Sequence, residues 1–196
     1  METLVPERRM VGGLALRQDG GFIMTGPNVA HWRDGEVRVL LERDGVNSFN
    51  DCHTDQQGRL YVGAIRSELD DLKAAKTSGE CYRINLDGNG AVSNRRMLEG
   101  PSFLRGIPDG MCLDADGNLW VVHVGGRRVV QLSPTGEEIG EIAVPAKAVT
   151  SVAFGGPDMG DLYIVTVDNL DDEDKQGSIF HTRPVVVGLP TPLAAV

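Results

Sequence analysis

Two short motifs in the chain place oxygen-bearing side chains at the same distance from a turn glycine. Asn50, in Asn50-Asp51, lies eight residues ahead of Gly58, and Asp109, in Pro108-Asp109-Gly110, lies eight residues ahead of Gly117. An amide oxygen and a carboxylate are hard donors of the kind that hold Ca²⁺ or Mg²⁺, and a carboxylate can also take the proton from an attacking water. The same sequences are ordinary turn formers whose side chains cap their own backbone, so spacing leaves both readings open. Other chemistry is poorly represented. His31, His53, His123 and His181 show no HxxxH spacing, Cys52, Cys81 and Cys112 show no CxxC or Cys/His pairing, and the GxSxG, P-loop and GxGxxG signatures do not occur. The cysteines read as reduced, buried small hydrophobes. The stretches from Asp114 to Gly117 and from Asn85 to Gly88 read as hairpin turns; the second imitates a calcium loop but carries Arg96 where such a loop needs Glu. The acidic run from Asp168 to Asp174 reads as a solvated loop.

The elements that must position Asn50 and Asp109 are strands. Twenty-five glycines and ten prolines punctuate 196 residues, and the segments between them are rich in Val, Leu, Ile and Tyr. Laid over one another, the segments starting at Gly13, Asn50 and Asp109 are copies of one unit: a strand, a polar turn, a glycine (Gly21, Gly58, Gly117) and an apolar strand. A fourth copy from Thr150 has a longer turn ending at Gly160. A second hairpin follows the copies, as at His31 to Leu41, Cys81 to Gly88 and Val129 to Glu138. The turn glycines stand 37, 59 and 43 residues apart, near the roughly 40 to 50 residues of a four-stranded blade. The expectation is an all-β β-propeller of four-stranded antiparallel blades, about four of them, forming a single domain over residues 1–196. A β-sandwich also uses many short strands but has no reason to repeat one motif at this interval. The long second step holds the only helical candidate, Glu68 to Lys76. Blades are related by rotation about a channel, so Gly13, Asn50, Asp109 and Thr150 or Ser151 are expected to ring one mouth of it.

Composition narrows the partners. With 28 acidic against 19 basic residues and a formal charge of −9, the chain would repel phosphate backbones and anionic lipid, so neither nucleic acid nor a membrane is expected as a partner. No apolar run approaches the roughly 20 residues that span a bilayer. Met1 to Met10 has no apolar stretch of the kind a secretory signal carries, which together with the unpaired cysteines points to the cytoplasm. At this length a chain buries roughly 70% of its unfolded surface and needs no disulfide or metal staple.

Three motifs in order resemble the senescence marker protein (regucalcin)/gluconolactonase family: Phe49-Asn50-Asp51 with Asp55 to Gly63, Ile107 to Trp120 with its Pro-Asp-Gly, and Val149 to Asp158 with Leu162 to Val165. The resemblance implies a six-bladed propeller that holds a divalent metal at its channel mouth and opens sugar lactones. By position it makes Asp109 a metal ligand and the candidate catalytic carboxylate. It makes Asn50 a pocket residue beside the metal, where its amide oxygen is also a candidate ligand, and Glu68 a substrate contact. Ser48 stands where the family carries a pocket Arg. The implied cofactor is a divalent cation, calcium first, with zinc, manganese or magnesium as the others, and the implied substrate is a sugar lactone or related ester. The chain departs from the family in two ligands: the segments that would supply a Glu and an Asn have no counterpart, and a blade is missing between the Asn-Asp and Pro-Asp-Gly units. Two functions follow, a metal-dependent lactone hydrolase, or a shortened propeller that binds small molecules or partners without the chemistry. An organophosphate-type hydrolase would need the same metal. A propeller short of blades either closes on four or leaves an open blade edge through which a homodimer could form.

Overall fold

A computed structural model describes residues 3–18, 20–66, 78–86, 91–99, 106–167 and 177–189. All its regular elements there are strands, arranged as four antiparallel sheets. The first contains β1 (Leu14–Leu16), β2 (Phe22–Met24), β3 (Val29–Arg33) and β4 (Glu36–Leu41); the second contains β5 (Ser48–Thr54), β6 (Arg59–Arg66), β7 (Ser78–Leu86) and β8 (Val92–Glu99). The third contains β9 (Ile107–Leu113), β10 (Leu119–Val124), β11 (Arg128–Leu132) and β12 (Glu138–Ala143), and the fourth β13 (Val149–Gly155), β14 (Asp161–Thr166) and β15 (Ile179–Thr182). In each sheet the strands lie in chain order, the up-and-down arrangement of a propeller blade. The expected all-β propeller blades are therefore present. The candidate helix from Glu68 to Lys76 and the acidic run from Asp168 to Asp174 lie outside the described residues. Among the described residues no helix is long and apolar enough to cross a membrane.

The chain divides into two compact units, Met1–Pro108 and Asp109–Val196, the boundary falling inside β9. Each has its own core. In the first, Ala15, Ile23 and Val29 pack with Phe49, Cys52, Leu60, Val62, Tyr82 and Ile84. In the second, Cys112, Trp120, Val122 and Val129 pack with Val149, Val152, Phe154, Leu162 and Ile164. Strand sequence explains the layering. β10, Leu119-Trp-Val-Val-His-Val124, is apolar on both faces and buried along nearly its whole length, whereas β12, Glu138-Ile-Gly-Glu-Ile-Ala143, puts charges on an exposed edge. Each buried Val, Leu or Ile contributes roughly 1.5–3 kcal/mol.

The repeated turns are built alike. Gly58 N–H donates to Asp55 O and Gly117 N–H to Asp114 O, both at 3.0 Å, with φ of 74° and 81° at the glycines, a region open to glycine at little cost. The aspartate ahead of each turn caps it. Asp55 Oδ1 accepts from the amides of Gln57 and Arg59, and Asp114 Oδ1 from those of Asp116 and Asn118. In the first sheet the matching bond runs from Gly20 N–H to Arg17 O, not from Gly21. The sequence alignment of the first copy is therefore one residue out of step: two adjacent glycines, both at positive φ, satisfy the pattern equally well. Its equivalent of Asn50 is Gly12 and not Gly13. All three cysteines are free and buried, as expected.

Candidate functional site

At the opposite end of each unit from these turns, the first strand is out of register with its neighbour. In β5, Phe49 pairs with Ala64 and Cys52 with Val62, so Asn50 and Asp51 together face the single residue Gly63. In β13, Val149 pairs with Thr166 but Ser151 with Val165, leaving Thr150 as the extra residue. Ahead of β1, Gly12 N–H donates to Thr25 O while Thr25 N–H donates to Gly13 O, again two residues against one. A β-bulge bends the strand and re-aims a side chain, and such bulges concentrate beside active sites. The position marked by counting back from the turn glycine is thus, in three sheets, a bulge. It also selects Thr150 over Ser151 as the fourth copy's equivalent.

In the first unit the bulge is built tightly. A Cβ on Gly12 would lie 2.5 Å from Phe49 O and 2.8 Å from Asn50 O, so only glycine lets the two strands approach. Asn50 is 8% exposed; its Nδ2 donates to Pro108 O at 3.0 Å, and its carbonyl accepts from the hydroxyl of buried Thr25. The first of these bonds fixes the amide plane and leaves Oδ1 as its acceptor end. Asp51 Oδ1 caps the Cys52 amide at 2.8 Å. Ser48 begins β5 opposite Ile65 and is half-buried. Two neighbours are removed from consideration as reacting groups. Burial, aided by the Asp51 charge, pushes the Cys52 thiol up to about 12, so it is no thiolate nucleophile at neutral pH. Burial holds His53 below its ordinary value despite Asp51 and Asp55, which keeps it neutral.

In the second unit Asp109 opens the Asp109-Gly110 step of β9, half-buried and already engaged in an interaction. Gly110 carries the same packing device as Gly12: an added Cβ would run into the backbone of Thr150 and Ser151 on β13. Thr150 Oγ1 reaches Val165 O at 3.5 Å. Glu68, the remaining sequence candidate, lies outside the described residues.

The donors fit a divalent cation only in part. Among the described residues no three His, Cys, Asp or Glu side chains converge as a metal site. Of the expected ligands, Asn50 lies in the first unit and Asp109 in the second; an amide oxygen and a carboxylate are each hard donors of the kind a divalent cation takes.

Sequence reasoning missed two ionic clusters. Glu80, 2% exposed, receives Arg43 Nη1 at 2.7 Å on one oxygen and Arg66 Nε at 2.5 Å on the other. Asp161 receives His181 Nε2 at 2.8 Å and Arg183 Nη1 at 2.6 Å, and Arg183 Nη2 reaches Asp158. The first had one available signal, a charged residue on the alternating apolar face of Gly79-Glu80-Cys81-Tyr82.

Comparison with known proteins agrees with the motifs. The family model described as the SMP-30/Gluconolactonase/LRE-like region matches residues 1–90 and 77–168, so residues 77–90 are matched twice. Regucalcin of Danio rerio is 45% identical over 206 aligned positions, taking in 81% of this chain and 69% of that protein. Pentonolactonase XacC of Haloferax volcanii is 27% identical over 240 positions, 94% of this chain and 80% of that protein. That alignment is longer than the 196-residue chain, so the relative carries residues the chain skips. A stretch matched twice is what remains when one copy between two similar hairpins is missing. Among solved structures, a calcium-binding protein, regucalcin, from Agrobacterium tumefaciens superposes with a TM-score of 0.53 at 19% identity, covering 93% of this chain and 79% of that one. This likeness shows the fold.

Proposed function

The chain belongs to the SMP-30/Gluconolactonase/LRE-like family, and from that premise we infer that it hydrolyses lactones of sugar acids or related esters, with Asp109 as the catalytic carboxylate. The observation that carries this reading is positional: Asn50 and Asp109 stand the same five residues ahead of the two capping aspartates, Asp55 and Asp114. At that position β5 and β13 each carry a bulge. The names of the relatives, a pentonolactonase among them, support the substrate class. In the reaction a water oxygen attacks the lactone carbonyl carbon while the Asp109 carboxylate takes its proton. The bond from that carbon to the ring oxygen breaks, and the proton passes to the ring oxygen, giving the open hydroxy acid. Asn50, its amide plane fixed through Pro108 O, orients the substrate, with Ser48 and Glu68 as further substrate contacts. A divalent cation, calcium first, then zinc, manganese or magnesium, would be held by Asp109 with Asn50 Oδ1 and would polarise the carbonyl as a Lewis acid.

A second reading is a propeller that binds small molecules without turning them over. It is favoured by the incomplete donor set among the described residues. Titration of metal-stripped protein with Ca²⁺, Zn²⁺ and Mn²⁺, with sugar-lactone hydrolysis measured on the same sample, separates the two. Turnover is expected, falling about 100- to 1,000-fold in Asp109→Asn with the thermal midpoint unmoved. Undiminished hydrolysis in that variant, or none in the wild type with any cation, would overturn the hydrolase.

A further inference from the structure

The Glu80 cluster has more positive charge than it uses. Each carboxylate oxygen of Glu80 is taken by a different arginine, Oε1 by Arg66 Nε at 2.5 Å and Oε2 by Arg43 Nη1 at 2.7 Å, with the Tyr82 hydroxyl also donating to Oε2. Arg43 lies over the Tyr82 ring, 4.7 Å from its centroid. Among the described residues both guanidiniums are therefore held through one edge. Arg43 keeps Nε and Nη2, and Arg66 keeps both Nη groups, with no hydrogen-bond partner among the described residues. The arginine side chains are 20% and 27% exposed, so these edges are accessible while the Glu80 anchor is sealed. Arg95 stands close enough to act with Arg66 in lowering the Arg43 pKa, after the larger effect of burial. It makes no ion pair among the described residues. Two guanidiniums thus share one buried carboxylate in a chain whose formal charge is −9, with the charge of a third, Arg95, felt at Arg43.

A buried ion pair is weak evidence for stability, because desolvation consumes most of the attraction, but it does fix the positions of its members. Two guanidinium forks fixed by a shared buried carboxylate are prepared for a second oxyanion, since the planar fork matches a carboxylate or phosphate edge. Their place in the sheet relates them to the proposed chemistry. Phe49 pairs with Ala64, and Ala64 with Glu80, so Glu80 lies two strands across from the bulge at the same end of the sheet as Ser48 and Asn50. That is about 10 Å at ordinary strand spacing, within the span of a sugar acid. We propose that Arg43 and Arg66 form an oxyanion subsite that takes a carboxylate or phosphate group of the substrate, making acidic sugar lactones the preferred class. This substrate assignment rests on the hydrolase reading; the anion site itself does not.

The test is calorimetric titration of the full chain with inorganic phosphate and, separately, with D-gluconate. Wild type is expected to bind at least one of them, and the tighter of the two identifies the group. Arg66→Gln should weaken that binding about 10- to 100-fold. Arg95→Gln, an exposed change that leaves the Glu80 anchor intact, should weaken it a few-fold. Arg59→Gln, at the far end of the same sheet, should leave it unchanged. Hydrolysis assays then compare the lactone of a sugar diacid, which keeps a free carboxylate, with a neutral sugar lactone: KM should rise in Arg66→Gln for the first only. Failure of wild type to bind either anion at millimolar concentration, or equal binding by wild type, Arg66→Gln and Arg95→Gln, would overturn the subsite. Arginine-dependent anion binding without any lactone turnover would keep the subsite and overturn the hydrolase and the substrate assignment with it. Turnover without arginine-dependent binding would do the reverse.

Discussion

The two ends of the repeated unit use the same residue types for opposite purposes. At the turn end, Asp114 is fully buried and its carboxylate accepts five hydrogen bonds, from the amides of Asp116 and Asn118 and the side chains of Asn118, Trp120 and Gln131. At the bulge end the Asn50 side chain donates to Pro108 O, and the register shift removes the ladder partner its neighbour would otherwise meet. A saturated carboxylate has no lone pair left for a substrate or cation, whereas a bulge residue keeps part of its hydrogen-bonding capacity unspent. Asp114 and Asp55 are thereby marked as structural by the donors folded around them.

The sharpest way to break this comparison is Asp114→Ala. Removing the acceptor strands the buried Trp120 donor and costs the half-buried Gln131 its partner, and we expect a loss of about 3 to 5 kcal/mol of stability. Trp120 fluorescence in a Trp32→Phe background reports the transition of the second unit. The matching Asp55→Ala should cost only about 1 to 2 kcal/mol, because its main side-chain partner, Arg59 at 2.5 Å, is 28% exposed and can turn to water. Equal losses in the two variants would mean that the turns, and not their buried donors, set the cost.

A smaller effect is expected at the other end. Asn50→Ala frees Pro108 O of its donor, a loss of about 1 kcal/mol, while lactone turnover falls about tenfold or more as substrate orientation is lost. If stability collapses and activity tracks only the folded fraction, the amide is a structural cap, as the turn-forming reading of Asn-Asp allowed from the beginning.

This pattern also explains what could be read from the chain. Glycines at forced positive φ, such as Gly58 and Gly117, and apolar strands such as Leu119 to Val124 are local properties, so the turns, the strands and the blade repeat were legible. Asn50 and Asp109 stood out by spacing from those turns. The bulge was not legible, because it depends on which residue of the neighbouring strand each one faces. The Gly20-Gly21 pair hid a one-residue offset for the same reason: conformation permits either glycine, and only the hydrogen bond to Arg17 O decides. The Glu80 cluster draws on Arg43, 37 residues away, and Arg66, 14 residues away, and no local motif connects them. Arg183 and Asp161, 22 residues apart, are invisible in the sequence on the same grounds.

That last cluster supplies the mildest test, since it sits on neither end of the argument. Asp161 is held below the ordinary carboxylate range by the hydrogen bond from His181 and then by Arg183, and Asp158 by Arg183 and then by the Gly160 amide. A carboxyl group whose pKa is lower folded than unfolded contributes stability that is present above its ordinary value and lost as the pH falls through the depressed one. Arg183→Gln removes the largest influence on Asp158 but leaves Asp161 its bond to His181. Its acid-unfolding midpoint, followed through Trp120, should therefore move to higher pH by a fraction of a unit, with high salt narrowing the difference because Arg183 is half exposed. An unchanged midpoint would mean that the second unit unfolds in acid through other carboxylates.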